Sequence, residues 1–382
     1  MKKVRIGIIG LGSMGRAHAN AIQKGLIPNL ELTAICDKEI EQCTGLLEIP
    51  KFKSPEDLFS SKLIDAVLIA TPHFEHTSIG IDALKRGYHV LVEKPISVHK
   101  ADCEKLIAAH SNKKQVFAAM FNQRTDPHYI KVRELIRNGE LGKLRRINWI
   151  ITNWFRSEAY YASGGWRATW KGEGGGVLLN QCPHNLDLFQ WMFGMPDQIR
   201  AFCQMGFYHN IEVEDNVTAY MQYRNGCTAV FITSTGEAPG TNRLEIVGER
   251  GRIVLGEGKL EYLRNEIEMS AFSRSTKERF TKPEVWDVSI PIQGGQGEQH
   301  VGILKNFTNA ILNGESLLAP AKEGIHSVEL ANAMIYSSFI QDTVTLPLDS
   351  KKYQAFLKKK ISKSTLKKKM IKKASDDFSK SF

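Results

Sequence analysis

Gly10, Gly12 and Gly15 stand in the run Gly10-Leu-Gly12-Ser13-Met14-Gly15, directly after the apolar stretch Val4–Ile9, and Asp37 follows 22 residues beyond Gly15. Residue types at this spacing suit one piece of chemistry, the binding of a dinucleotide. Gly10 allows the tight turn, Gly12 lets backbone N–H groups reach a pyrophosphate, and Gly15 lets the following helix pack close to the strand. Ser13 and Met14 open that helix, whose positive dipole end faces the phosphates. Asp37 can accept hydrogen bonds from both adenosine ribose hydroxyls and repels a 2′-phosphate, so NAD is the cofactor expected. Lys38 beside it leaves NADP as the lesser alternative. A glycine-rich surface turn is the plain reading of the same residues, and the flanking strand and helix argue against it.

The elements around the motif must hold it in place. Val4–Ile9, Leu30–Cys36, Ala66–Ala70, His89–Val92 and Val116–Phe121 are apolar runs of the kind that form strands buried on both faces. Helical stretches at Ser13–Lys24, Glu75–Arg86 and Lys100–Ser111 alternate with them. This order predicts a parallel sheet wound by right-handed crossovers, a Rossmann domain over residues 1–123. After Gln123 the pattern changes. A helix at Pro127–Asn138 and a strand at Leu144–Thr152 lead to a Gly/Trp-rich loop, Ser163–Gly176, and a helix at Pro183–Phe193. Six strand-like runs follow: Ile199–Phe207, Val217–Tyr223, Thr228–Ser234, Arg243–Val247, Arg252–Leu255 and Lys259–Leu263. Short turns between them, one carrying Asn225-Gly226, predict a large, mostly antiparallel open sheet. Helices at Val301–Asn313 and Lys322–Ile340 close a second, α+β domain over 124–345. Residues 346–382 read as a lysine-rich tail.

In the second region, Pro183 suits a first helical position, which puts His184 and Asp187 three apart on one helix face with Asn180 just ahead. Lys94 falls at the carboxyl end of a parallel strand, where such sheets place their ligand crevice. Ala70-Thr71-Pro72 with His76, Glu93-Lys94-Pro95 and Gly174-Gly-Gly176…His184…Asp187, taken with the glycine motif, resemble the Gfo/Idh/MocA oxidoreductases. That family includes glucose–fructose oxidoreductase and inositol dehydrogenases. The resemblance covers roughly residues 4–345. It implies a second domain whose open sheet mediates homodimers or homotetramers. It also implies that Lys94 lies beside the nicotinamide ring and the substrate hydroxyl, with His184 as its catalytic companion. Thr71, Pro72, His76 and Glu93 then belong to the cofactor site. The family commonly has an aspartate where this chain has Asn180. Asn180 can hydrogen-bond a hydroxyl and cannot ionise, which shifts acid/base work toward His184. Asp187 is expected to orient or buttress.

The expected reaction is hydride transfer between NAD and a secondary hydroxyl of a sugar, cyclitol or polyol. A lysine of ordinary pKa, about 10.4, is a poor base at neutral pH, and burial beside a cationic ring would lower it. Asn122, Arg124, Tyr160, Trp166 and Arg167 are further substrate-binding candidates, with Tyr161 and Trp170 as stacking surfaces; His73 and His76 are equally readable as structural. Two rivals remain: a glycosidase or epimerase that oxidises its sugar only transiently on tightly held NAD, and a non-catalytic dinucleotide sensor, which would have no use for the Lys94/His184 pair.

Composition bounds the rest. The net charge is +10, and residues from Lys351 onward hold twelve lysines and two aspartates, which is the whole excess. The first 350 residues are therefore balanced, and the distal lysines have no interleaved aromatics to stack bases, so no specific nucleic-acid partner is expected. The tail reads as solvated beyond Ile361, with only Tyr353, Phe356 and Leu357 spaced to dock. No run suits a membrane span. The six cysteines are scattered, which argues against a zinc site or disulfides and fits a cytoplasmic protein.

Overall fold

A computed structural model describes residues 3–42 and 49–366. Its first sheet contains six strands: β1 (Val4–Ile9), β2 (Leu30–Cys36), β3 (Lys51–Phe52), β4 (Ala66–Ile69), β5 (His89–Val92) and β6 (Phe117–Ala119). Their order is β3-β2-β1-β4-β5-β6, all parallel. Ala66, Val67, Leu68 and Ile69 are all buried, as a strand covered on both faces requires. Helices α1 (Ser13–Gln23), α2 (Pro55–Ser60), α3 (His73–Lys85) and α4 (Lys100–Ala109) connect the strands. The order reverses between β1 and β4, and the glycine turn after β1 opens there, at the switch point of a doubly wound sheet.

The second sheet has nine strands: β7 (Leu144–Ile151), β8 (Gln198–Met205), β9 (Glu214–Gln222), β10 (Thr228–Ser234), β11 (Asn242–Gly248), β12 (Gly251–Gly256), β13 (Lys259–Asn265), β14 (Val285–Asp287) and β15 (Val344–Thr345). Every pairing is antiparallel except β7 with β10. Among the described residues this region also holds helices α5 (Pro127–Arg137), α6 (Glu158–Ala162), α7 (Pro183–Phe193), α8 (Met269–Ser275), α9 (Gln299–Asn313), α10 (Gly324–Ile340) and α11 (Ser350–Ser362). Trp149 and Phe231 on the sheet, Phe189 on α7 and Leu330 to Ile335 on α10 share one core. Ile303, Leu304 and Phe307 of α9 instead join the core of the first sheet, so the chain returns to seal the Rossmann layer.

Several sequence expectations shift at their ends. The strand expected to run to Phe207 stops at Met205, because Gly206 adopts φ +54° where a Cβ would meet the Ile211 carbonyl at 2.4 Å. The closing helix begins at Gly324, after a 3₁₀ turn at Ala321–Glu323, and not at Lys322. Elements absent from the sequence reading are short or peripheral: β3, β14, β15, α2, α6 and α8; the first turns of the lysine-rich segment form a helix that docks, as the spacing of Tyr353, Phe356 and Leu357 suggested. Two- or three-residue strands are too short for any periodicity to register. In α11, Asp349 caps the N-terminus by accepting from Lys351 and Lys352 N–H, and Tyr353 and Leu357 are fully buried. Among the described residues no helix is long and apolar enough to cross a membrane.

Candidate active site

A cavity of about 400 Å³ lies where the carboxyl ends of β1, β4 and β5 face α7 and the loop before it. At one end Gly10 has φ +92°, and a Cβ there would come within 2.6 Å of the Ala70 carbonyl. A Cβ on Gly15 would strike the Gly10 carbonyl at 1.9 Å, so Gly15 serves helix packing and does not line the cavity. Gly12 faces open space and starts α1 with no side-chain cap, leaving the first N–H groups of the helix to a ligand. Asp37 is held by Leu11 N–H at 2.6 Å and Glu39 N–H at 2.8 Å, and it lines the cavity with Ser13 and Met14. Lys38 bonds Glu75, which engages its ammonium away from a cofactor phosphate. An uncapped helix start, a glycine that leaves room and a fixed carboxylate fit an adenine dinucleotide without a 2′-phosphate.

Glu93 and Lys94 end β5. Glu93 Oε1 lies 2.7 Å from His18 Nε2, and Oε2 accepts from Lys94 N–H. Burial would raise the Glu93 carboxyl, but the bond and charge of His18 hold it at about 2. Lys94 Nζ donates to the Asn180 carbonyl at 2.8 Å. Burial lowers the Lys94 pKa, and Arg156 and Arg167 push the same way against Glu93 and Glu173. Thr71 and Pro72 end the loop after β4, where His76 ties the Thr71 and Pro95 carbonyls together, each at 2.8 Å.

Pro183 opens α7 as expected, and His184 lines the cavity from its first turn. Burial, then Lys94 and His300, drive the His184 pKa well below its ordinary value, and its Nδ1 is buried without a hydrogen-bond partner. Asn180 lines the same space, and its amide donates to buried Glu173, whose other oxygen accepts from Ala168 N–H. Tyr160, Trp166 and Arg167 also line the cavity, with Arg167 donating to the Tyr160 hydroxyl at 3.0 Å.

Three candidates are elsewhere. Asp187 is fully buried one turn beyond His184 and makes a two-pronged ion pair with Arg124, at 2.6 and 2.7 Å. Arg124 reaches on to Glu323 and the Leu318 carbonyl. Asn122 donates to Gln299 at 2.6 Å. None of the three lines the cavity. They join the 3₁₀ turn Asn122–Thr125 to α7, to the start of α9 and to the segment before α10; for Asn122 and Arg124 these contacts stand in place of the substrate binding expected of them, while Asp187 buttresses, though from behind the cavity wall. Tyr161 bonds Thr235 and packs on His209, and Trp170 packs on Phe339, so both are core residues rather than stacking surfaces.

Trp154, Arg156, Gln181 and His300 line the cavity and were not anticipated. Arg156 follows β7 between aromatic residues, a signal that could have been read as a strand end facing the crevice. His300 arrives from α9 and sits 5.5 Å from His18, ring to ring, a contact across the whole chain with no local sequence signature.

Family models match on both sides of the cavity. The oxidoreductase family with an NAD-binding Rossmann fold covers residues 4–121, and the GFO/IDH/MocA C-terminal domain covers residues 129–254. The chain belongs to this family. Within the GFO/IDH/MocA family it is 27% identical to myo-inositol 2-dehydrogenase of Thermotoga maritima over 65% of this chain and 74% of that protein. It is 22% identical to inositol 2-dehydrogenase of Rhizobium meliloti over 87% of this chain and 96% of that protein. Among solved structures, the WlbA dehydrogenase of Bordetella pertussis in complex with NADH and UDP-GlcNAcA superposes with a TM-score of 0.76 at 23% identity, over 91% and 100% of the two chains. Levoglucosan dehydrogenase in complex with NADH gives 0.75 at 20% identity, over 91% and 100%. The chain is thus an NAD-binding oxidoreductase built on a Rossmann sheet and a mixed, mostly antiparallel sheet.

Proposed function

We propose that the protein transfers a hydride between NAD and a secondary hydroxyl of a sugar, cyclitol or polyol, with Lys94 and His184 handling the hydroxyl proton. One observation carries this reading: Lys94 and His184, both with pKa values lowered by burial, line the cavity that also holds the glycine cradle and Asp37. NAD, when bound at the cradle, supplies the hydride acceptor. A neutral Lys94 amine donates one hydrogen to the Asn180 carbonyl, which fixes its direction and leaves its lone pair for a substrate hydroxyl. His184, neutral at physiological pH, can take or return the same proton. Tyr160, Trp166 and Asn180 line the space for the ring and its hydroxyls. The inositol dehydrogenases among the relatives support the substrate class.

The test is a panel of sugars and cyclitols with NAD, read by NADH absorbance. Net NADH supports a dehydrogenase; turnover of substrate without NADH would move the reading to redox-neutral chemistry. Lys94→Ala and His184→Ala are each expected to lower kcat by about 10²–10⁴ while NADH still binds. Near-normal turnover in either variant would remove that residue from the mechanism. The outer face of the second sheet presents Phe202 and Tyr220 to solvent, 62% and 42% exposed, and we place the homodimer or homotetramer contact there, to be checked by light scattering.

A further inference from the structure

Asn180 has two carbonyls, and each has a task in the cavity wall. The main-chain oxygen takes Lys94 Nζ at 2.8 Å. The side-chain oxygen faces the Tyr160 hydroxyl at 3.5 Å, and both residues line the cavity. Which end of the amide points that way is decided behind the wall. The Asn180 NH2 donates to Glu173 Oε1, while Glu173 Oε2 accepts from Ala168 N–H at 2.6 Å. Both carboxyl oxygens thus accept from N–H groups, as those of an ionised carboxylate do. Such a group draws the NH2 end of an amide and leaves the amide oxygen for the cavity.

The same carboxylate carries charge to Lys94. Glu173 is 1% exposed and does not line the cavity, so water screens it little. Burial lowers the Lys94 pKa; the charges of Glu93 and Glu173 raise it, and Arg156 and Arg167 lower it. His73 on α3, His184 on α7 and His300 on α9 also face Lys94, with Cys182 just before α7. Burial keeps the imidazoles neutral and pushes the thiol up to about 12, so these four hold their charge state where a lysine titrates. Tyr161 and Glu214 face Glu173; burial raises both, Glu214 to about 7.

We infer that Glu173 is a positioning residue of this site: it turns the Asn180 amide so that an acceptor meets a substrate hydroxyl, and it supplies buried negative charge to Lys94. The inference rests on the hydride-transfer reading above. It makes the substrate group beside Asn180 a hydrogen-bond donor.

Exchanging the two side chains tests both effects. In Glu173→Gln, the Ala168 N–H still holds an oxygen, so the new NH2 faces Asn180 and turns its amide around. KM for the best sugar or cyclitol of the panel is expected to rise about fivefold, the worth of one net hydrogen bond. The pH midpoint of oxidation should fall by about one unit, because a charge favouring the ammonium is gone. Adding Asn180→Asp to Glu173→Gln restores the arrangement with roles reversed. The glutamine oxygen stays on Ala168 N–H, its NH2 meets the aspartate, and the second aspartate oxygen faces the cavity. This double variant should recover KM to within about twofold and bring the midpoint back to the parent value or above, a coupling that independent defects would not produce. A double variant worse than Glu173→Gln in both respects would overturn the inference. Should Glu173→Gln not fold, the double variant compared with Asn180→Asp alone should show the same fall of about one unit. Competitive labelling of the apoprotein with acetic anhydride, read at Lys94 by peptide mass spectrometry, measures the lysine without turnover. Its pKa should fall in Glu173→Gln and return in the double variant. That result supports the role of Glu173 even if no member of the panel yields NADH, which would count against the dehydrogenase reading alone. An unmoved Lys94 pKa overturns the inference and leaves the dehydrogenase reading standing.

Discussion

Asp37 is pinned by the N–H groups of Leu11 and Glu39, so its carboxylate cannot swing aside for a 2′-phosphate. NADH is therefore expected to bind at least about tenfold more tightly than NADPH, and Asp37→Ala should narrow the gap by removing both the ribose contact and the repulsion. Equal affinities in the parent protein would refute this role. On the proposed mechanism, Lys94 sets the pH dependence. Its pKa is lowered from the ordinary value of about 10.4 by burial, and only the neutral amine accepts a proton. The rate of alcohol oxidation should accordingly rise with pH, with a midpoint below that ordinary value; a falling profile would exclude Lys94 as the base. Asn180→Asp offers a sharper check. It would set a second carboxyl against Glu173 and beside the Lys94 contact, so added negative charge should stabilise the ammonium form. The rise in rate is expected to move to higher pH, and an unshifted profile would show that the charge is not felt at Lys94.

At the scale of elements, α7 carries two different residues on one face. His184 reaches the cavity from the first turn, while Asp187, three residues on, is sealed against Arg124. Arg124 is 1% exposed, so Asp187→Ala would leave this buried cation with Glu323 as its counter-ion and two of its N–H donors unmet; about 3 kcal/mol of stability should be lost. A fall in melting temperature measures this, and an unchanged one would show that the pair is dispensable. The spacing on the helix could be read from the sequence; the depth of each residue could not, because depth depends on what packs opposite. The lysine-rich segment teaches the same lesson. Its first turns dock through Tyr353 and Leu357, and beyond α11 the backbone N–H groups of Thr365 and Leu366 bond Glu212, which also holds Trp170 N–H in the glycine-rich loop. The sequence expectation placed the boundary of useful chain near Ile361; these contacts carry it at least to Leu366, and the rest of the expected tail lies outside the described residues. Deletion after Leu366 is expected to leave kcat and KM within about twofold, whereas deletion after Asp349 removes two core side chains and should destabilise by several kcal/mol.

For the whole molecule, buried histidines couple folding to pH. His73 and His184 are held neutral by burial, well below their ordinary range, and His300 is lowered to about 4. The unfolded chain takes up these protons near pH 6.5, the folded one only at lower pH. The stability they contribute is therefore complete above about pH 6.5 and is lost as pH falls toward their folded values. Melting temperature should decline steadily from pH 7 to pH 5, apart from any loss of activity; a rise on acidification would contradict neutral burial.

What the sequence determined by itself was whatever local geometry imposes. The glycine spacing with Asp37 22 residues on, the alternation of apolar runs with amphipathic stretches, and Pro183 at a helix start are covalently local, and each found its place in the structure. The family match extends the same kind of information, since motifs such as Glu93-Lys94-Pro95 are short and contiguous. Tertiary structure decided everything that needs two distant segments to meet. His300 beside His18, Arg156 and Arg167 around Tyr160, Glu173 against Asn180, and Arg124 spent on Asp187 are all choices of partner. A charged or polar side chain looks the same in sequence whether it faces a ligand or a buried counter-ion. Only packing says which group desolvates it, and that decides whether it binds substrate or holds the fold together.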